Sequence, residues 1–84
     1  MSHEENVTER VMNILAVNTG YDAEEISLDA HFEDDLGMTK PDFIRVVTKI
    51  NTEFEINLSP TTLFEEVETV QELVSLVEDE KLWG

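Results

Sequence analysis

Apolar residues recur at intervals of three and four along much of the chain, which is the spacing of helices that bury one face. The first such face consists of Val7, Val11, Ile14 and Leu15, and the second of Phe43, Val47, Ile50 and Phe54. We therefore predict one helix from Glu4 to about Val17 and another from about Lys40 to Phe54. No segment shows the clear alternation of a strand, so the fold is predicted to be all-α.

The second helix has the clearest start. Thr39 and Asp42 are three residues apart, the spacing of a capping box, in which each side chain accepts a hydrogen bond from the other residue's backbone N–H. Pro41 suits the first turn, where its missing N–H removes no helical hydrogen bond. Lys40 is therefore predicted to lie at the mouth of this helix, where free backbone N–H groups favour a phosphate.

Two further start signals predict the last two helices. Ser59 as N-cap and Pro60 as first helical residue predict a short third helix that ends near Glu66. Another capping box, Thr69-Val70-Gln71-Glu72, opens a fourth helix that we expect to reach about Leu82. The prediction is a bundle of four helices with a short third one.

Residues 21–38 form a predicted loop that is long for a connection in a compact domain. Its plausible apolar anchors are Tyr21, Ile26, Leu28, Phe32 and Leu36. The loop also carries seven acidic residues, and two interpretations of the triplet Glu33, Asp34 and Asp35 stay open. We favour a solvated acidic rim over a weak Ca²⁺ or Mg²⁺ site, because the spacing is not that of an EF-hand.

Size and charge limit the partners of the chain. Its 84 residues, 40% of them hydrophobic, are expected to form one domain over 1–84. A net charge of −15 makes nucleic acid and anionic membranes poor partners. The N-terminal sequence is acidic where a signal peptide would be basic, and no apolar run has transmembrane length. We expect a cytoplasmic monomer.

Residues suited to catalysis are sparse. The chain has no cysteine, and no Ser-His-Asp grouping can be argued in so short a sequence. His3 lies at the terminus, and no second ligand has a spacing that suits a metal. We therefore predict that the chain is not an enzyme and holds no metal.

The acidic segment before the second helix, Phe32-Glu33-Asp34-Asp35-Leu36-Gly37, resembles the approach to the modified serine of acyl carrier proteins. The later segments Ile56–Glu65 and Thr69–Leu73 look like carrier domains of polyketide and nonribosomal peptide assembly. The resemblance covers nearly the whole chain. It implies the carrier-protein fold, with a long loop between the first and second helices and a short third helix.

The resemblance fails at the residue that carries the chemistry. The family pattern usually ends Asp-Leu-Gly-x-Asp-Ser-Leu, and its serine bears a phosphopantetheine arm, whereas this chain has Asp35-Leu36-Gly37-Met38-Thr39-Lys40-Pro41. Lys40 stands at the serine position, and an amine cannot form the phosphodiester. We therefore expect no cofactor and a role through protein–protein contacts. The alternative is a working carrier modified at Thr39 or Lys40, with 4′-phosphopantetheine as its cofactor.

Basic residues are concentrated on the second helix. Lys40, Arg45 and Lys49 are three of the five basic residues in the chain, although the family's second helix usually presents acids. They are neutralised within the helix, through Asp42–Arg45 and Lys49–Glu53 pairs, or they form a stripe that a partner recognises. The predicted contact residues are Met38, Lys40, Pro41, Arg45 and Lys49. The implied partners are enzymes of fatty-acid, polyketide or nonribosomal peptide biosynthesis.

Further positions on the second helix have two interpretations. The resemblance places Ile44, Val46, Thr48 and Ile50 near the family's acyl-chain cavity. Without an arm to deliver an acyl chain, ordinary core packing is the favoured role. Phe43 is bulky where the family often has a small residue, so it either plugs the surface beside the helix or forms an exposed apolar contact point.

The high net charge generates a prediction about stability. Because mutual repulsion of the carboxylates opposes the compact state, added salt should raise the free energy of unfolding. Urea denaturation followed by circular dichroism at increasing NaCl concentrations should show a rising midpoint. A midpoint that is constant or falls with salt would contradict this prediction.

Overall fold

The computed structural model describes residues 6–83, with the side chains of residues 6–81. It contains four α-helices, namely α1 (Val7–Thr19), α2 (Lys40–Phe54), α3 (Pro60–Glu66) and α4 (Val70–Trp83). A 3₁₀ helix, Ala23–Glu25, lies in the connection between α1 and α2. The prediction of an all-α bundle with a short third helix is confirmed. His3 lies outside the described residues.

The capping residues set the ends of α1. Asn6 is extended, and its side-chain oxygen accepts a hydrogen bond of 2.8 Å from the N–H of Glu9, so this helix begins at Val7. The predicted start at Glu4 lies outside the described residues. The helix continues past the predicted Val17 to Thr19. It ends at Gly20, whose φ of +87° lies in the left-handed region that favours glycine.

The predicted apolar faces form the core. The helical residues with no measurable exposure are Val11, Leu15, Val46, Val47, Ile50, Val70, Leu73 and Val77. Among the positions that the resemblance places near the acyl-chain cavity, Val46 and Ile50 are therefore buried, whereas Ile44 is half-buried and Thr48 is exposed. Two of these four positions pack in the core and two lie at the surface of α2.

The long connection between α1 and α2 is held against the start of α4. Backbone N–H groups of Phe32, Val70 and Gln71 donate to the carbonyls of Glu68, Ala30 and Leu28 at 2.9–3.1 Å. Within the described chain, the one bridge of β type joins His31 to Thr69. These hydrogen bonds fix the path of a segment that has almost no regular structure.

Only part of the predicted anchoring of this connection is correct. Ile26 and Phe32 are buried and Leu36 is half-buried, as expected, but Tyr21 and Leu28 are 44% and 37% exposed. The segment instead buries Ala30 and Met38. Ala30 was not among the predicted anchors.

Three aromatic rings join the connection to α2 and α3. The ring of Phe43 lies 5.1 Å from that of Phe32 and 5.6 Å from that of Phe64, both in edge-to-face geometry. Phe43 is only 1% exposed. Of the two interpretations of Phe43, the exposed apolar contact point is therefore wrong, because its ring fills the space between three segments.

The cap of α3 also differs from the expectation. Ser59 occupies the N-cap position, and Pro60 is the first helical residue. The Ser59 hydroxyl, however, lies 3.1 Å from the hydroxyl of Thr62 and makes no hydrogen bond to the backbone of the helix. In the part of the chain that the structure describes, no helix is long and apolar enough to cross a membrane.

The aromatic contacts predict a large effect of Phe43→Ala. Removing this ring deletes contacts with two other rings and leaves a cavity, so the free energy of unfolding should fall by about 3–5 kcal/mol. Urea denaturation measures the loss, and Val17→Ala serves as the control because Val17 is 81% exposed. Similar denaturation midpoints for the two variants would show that the ring is not packed as described.

Candidate functional site at the start of the second helix

The turn that leads into α2 places two side chains at the surface. Gly37 has a φ of +64°, and the N–H of the next residue, Met38, donates to the Phe32 carbonyl at 2.9 Å. Met38 is thereby drawn into the core, with 5% of its surface exposed. Thr39 and Lys40 follow as exposed residues at the mouth of the helix.

The capping box predicted here is present. The Thr39 N–H and hydroxyl donate to Oδ2 of Asp42 at 3.2 and 3.0 Å, and the Asp42 N–H donates to the Thr39 hydroxyl at 3.5 Å. The hydrogen bond from the Thr39 backbone lowers the pKa of Asp42, and the Thr39 hydroxyl and the nearby Arg45 lower this pKa further. Asp42 therefore carries its negative charge at neutral pH, beside the positive end of the helix dipole.

Lys40 is the first residue of α2. Its ammonium nitrogen lies 6.0 Å from the centre of the Phe64 ring, at the outer limit of a cation–π contact. Its neighbour Thr39 has a hydroxyl, but that hydroxyl is engaged with Asp42. The two residues proposed from the sequence as attachment points thus lie together at the helix mouth, and both make contacts there.

The two predicted ion pairs of α2 have different outcomes. Arg45 pairs with Asp42 at 3.3 Å, as expected. Glu53 instead pairs with Arg10 of α1 at 3.4 Å, so the Lys49–Glu53 pair of the neutralisation interpretation does not form. The Arg10 guanidinium also lies 4.4 Å from the centre of the Phe54 ring, which holds it beside Glu53. Among the described residues, Lys49 takes part in no ion pair.

The structure separates the predicted contact residues into two groups. Lys40, Pro41, Arg45 and Lys49 are exposed along α2 and its first turn. Met38 is buried, so its assignment as a surface contact residue is corrected. The reason is the hydrogen bond of its N–H to Phe32, which turns the chain inward just before the helix starts.

The acidic loop is arranged as a turn. Oδ2 of Asp35 accepts the N–H of His31 at 2.8 Å, and the His31 carbonyl accepts the N–H groups of Asp35 and Leu36. Glu33 and Asp34 are exposed. Among the described residues no three His, Cys, Asp or Glu side chains are grouped so as to hold a metal ion. The alternative cation site at Glu33, Asp34 and Asp35 therefore gains no support.

Two residues beside this site were not predicted to belong to it. The ring of Phe64 in α3 lies near the Lys40 ammonium. Only the packing of α3 against α2 brings the two residues together, so the sequence alone did not predict this. Val17 of α1 is 81% exposed and lies beside α2, next to Ile44 and Lys49. A signal for the exposure of Val17 was present in the sequence, because this residue lies outside the apolar face of α1 and so cannot pack in the core.

Comparison with known proteins identifies the family of this chain. Residues 9–77 match the family model described as phosphopantetheine attachment site. The chain is 35% identical over 68 residues to an acyl carrier protein of Onion yellows phytoplasma (strain OY-M), which covers 81% of the chain and 88% of the relative. It is 32% identical over 76 residues to an acyl carrier protein of Solidesulfovibrio magneticus, covering 90% of the chain and 96% of the relative.

A third relative, an acyl carrier protein of Rickettsia bellii (strain OSU 85-389), is 30% identical over 81 residues, which are 96% of the chain and 99% of the relative. The fold and the family match over residues 9–77 define a carrier-type domain. The chain belongs to the acyl carrier protein family, which confirms the resemblance predicted from the sequence. This is a family of non-catalytic carriers, in agreement with the expectation that the chain is not an enzyme.

The capping geometry predicts the effect of Thr39→Ala. The loss of the hydroxyl should lower the free energy of unfolding by about 1 kcal/mol and raise the pKa of Asp42 toward its ordinary value. Because this pKa is lowered in the folded state, the stability linked to it is present at neutral pH and is lost as the pH falls through the lowered pKa.

Urea denaturation and an NMR titration of the Asp42 carboxyl measure the two effects. Thr39→Ser is the matched control, since it keeps the hydroxyl that donates to Asp42. If the alanine and serine variants have the same stability and the same Asp42 pKa, the hydroxyl does not act as described.

Proposed function

We propose that this protein is an acyl carrier family member that carries no phosphopantetheine arm and acts through protein–protein contacts. The observation that carries the proposal is the side chain at the mouth of α2, where Lys40 presents an ammonium group rather than a hydroxyl. A phosphodiester requires an oxygen at this point, so the residues present do not fit the family's prosthetic group.

The nearest hydroxyl supports the same conclusion. The Thr39 oxygen lies 3.0 Å from Oδ2 of Asp42 and donates its proton there. A phosphodiester on this oxygen would remove that donor and place a second negative charge beside the carboxylate. Thr39 is also β-branched, which restricts its rotamers at the cap. These contacts favour a structural role for Thr39 over the alternative role of attachment residue.

The proposed contact surface consists of Lys40, Pro41, Arg45 and Lys49. All four are exposed, and they lie on the first three turns of a single helix, so one partner surface can reach them together. The proposed partners are enzymes of fatty-acid, polyketide or nonribosomal peptide assembly. The same proposal includes action as a monomer in the cytoplasm.

Mass measurement provides a direct test of the missing arm. The purified chain is incubated with coenzyme A and a phosphopantetheinyl transferase of broad specificity, and its intact mass is recorded. We expect no gain in mass, because neither Lys40 nor Thr39 offers a free hydroxyl for transfer. An acyl carrier protein with the serine intact is treated in parallel to show that the transferase is active.

The matched variant is Lys40→Ser, which restores a primary hydroxyl at the helix mouth and is expected to gain one arm. A gain of one arm by the unmodified chain would refute the proposal, and Thr39→Ala would then show whether Thr39 is the attachment residue. Tandem mass spectrometry of protein from the native host tests the remaining alternative, which is an adduct on Lys40.

A further inference from the structure

The outer faces of α1 and α2 form a shallow groove, which we call the α1–α2 groove. Its apolar lining residues are Val17, Pro41 and Ile44, and its basic lining residues are Lys40, Arg45 and Lys49. Val17 is 81% exposed, the most exposed large apolar residue in the described chain. Exposed apolar side chains beside polar ones are the usual composition of a docking surface.

The charge of this groove is opposite to that of the molecule. The chain has 20 acidic and 5 basic residues, yet among the described residues that line the groove three are basic and none is acidic. Asp42 neutralises Arg45 in part, at 3.3 Å, whereas Lys40 and Lys49 form no ion pair within the described part of the chain. A positive stripe therefore faces solvent beside exposed apolar side chains.

We infer that the α1–α2 groove binds an acidic amphipathic segment of a partner protein. Apolar side chains of that segment would contact Val17 and Ile44, while its carboxylates would pair with Lys40, Arg45 and Lys49. This inference rests on the proposed function and adds to it the chemistry of the partner. It also extends the contact surface from α2 alone to α1.

The acidic surface around the groove favours a narrow acidic segment over a larger anionic partner. At physiological ionic strength, charges act over about 8 Å, so a narrow segment in the groove mainly experiences the three basic residues. A membrane, a nucleic acid or a second copy of this chain would extend beyond the groove and meet the carboxylates around it. A segment of one helix or one extended strand is the acidic partner that fits.

The test uses a synthetic amphipathic helical peptide as the probe. Leucines occupy one face of the peptide, and glutamates flank that face. The control peptide has glutamine in place of every glutamate, since a lysine peptide would bind the acidic remainder of the surface. Titration into the ¹⁵N-labelled full chain is followed by amide chemical shifts at low salt. We expect saturable shifts at Val17, Ile44 and Lys49, with about tenfold tighter binding of the glutamate peptide.

Two charge reversals locate the binding. Lys49→Glu and Lys81→Glu each make the chain two charges more negative, but only Lys49 lies in the groove. We expect Lys49→Glu to weaken the binding of the glutamate peptide at least about tenfold, and Lys81→Glu to have a much smaller effect on this binding. Val17→Ser should weaken the binding of both peptides. Circular dichroism verifies that each variant is folded.

Several results would overturn the inference. They are equal binding of the two peptides, shifts outside the groove, equal effects of the two reversals, or no shift at millimolar peptide. Sedimentation equilibrium that shows self-association abolished by Lys49→Glu would assign the groove to a second copy instead. A failed titration leaves the arm-less proposal intact, whereas a gain of arm mass removes that proposal whatever the titration shows.

Discussion

The packing of Phe43 between Phe32 and Phe64 connects the three segments that meet at the candidate site. Phe32 belongs to the long connection, Phe43 to the first turn of α2 and Phe64 to α3. Because Phe43 lies three residues after Lys40, its burial fixes the rotation of α2 about its axis. That rotation leaves Lys40, Arg45 and Lys49 on the outer side and brings Phe64 beneath the Lys40 ammonium.

The electrostatics of the helix mouth follow from the same placement. A cation in the first turn of a helix is unfavourable by about a few tenths of a kcal/mol, since the dipole is positive there. Two neighbours offset this cost in the structure. Asp42 holds its negative charge in the capping box, and the face of the Phe64 ring lies 6.0 Å from the Lys40 nitrogen. The lysine thus lies beside a nearby carboxylate and an aromatic ring, at a point where the free N–H groups of a helix favour an anion.

The family membership and the chemistry of the site support different parts of the functional conclusion. The matched residues 9–77 identify a carrier-type domain. The proposed loss of the arm depends on one side chain and on the engaged hydroxyl beside it. If the arm is absent, what the domain still offers to a partner is its surface, and the α1–α2 groove is lined by three basic residues and, among the described residues, no acidic one.

The sequence by itself determined the helices, because their signals are local. The bounds of α2 and α3 and the start of α4 match the prediction, since caps and helical spacing depend on residues within one or two turns. The capping boxes at Thr39 and Thr69 were predicted for the same reason and are present.

The tertiary structure alone decided which side chains are free. Met38 is buried because its N–H donates a hydrogen bond to the carbonyl of Phe32. Lys49 does not pair with Glu53, because Glu53 pairs with Arg10 of α1. Leu28 is exposed although it is apolar, because the hydrogen bond of its carbonyl to the N–H of Gln71 at the start of α4 sets the path of the loop there. The outcomes at Lys49 and Leu28 depend on contacts between residues more than 40 positions apart in the sequence, so no local pattern of apolar, polar or charged residues could have predicted them.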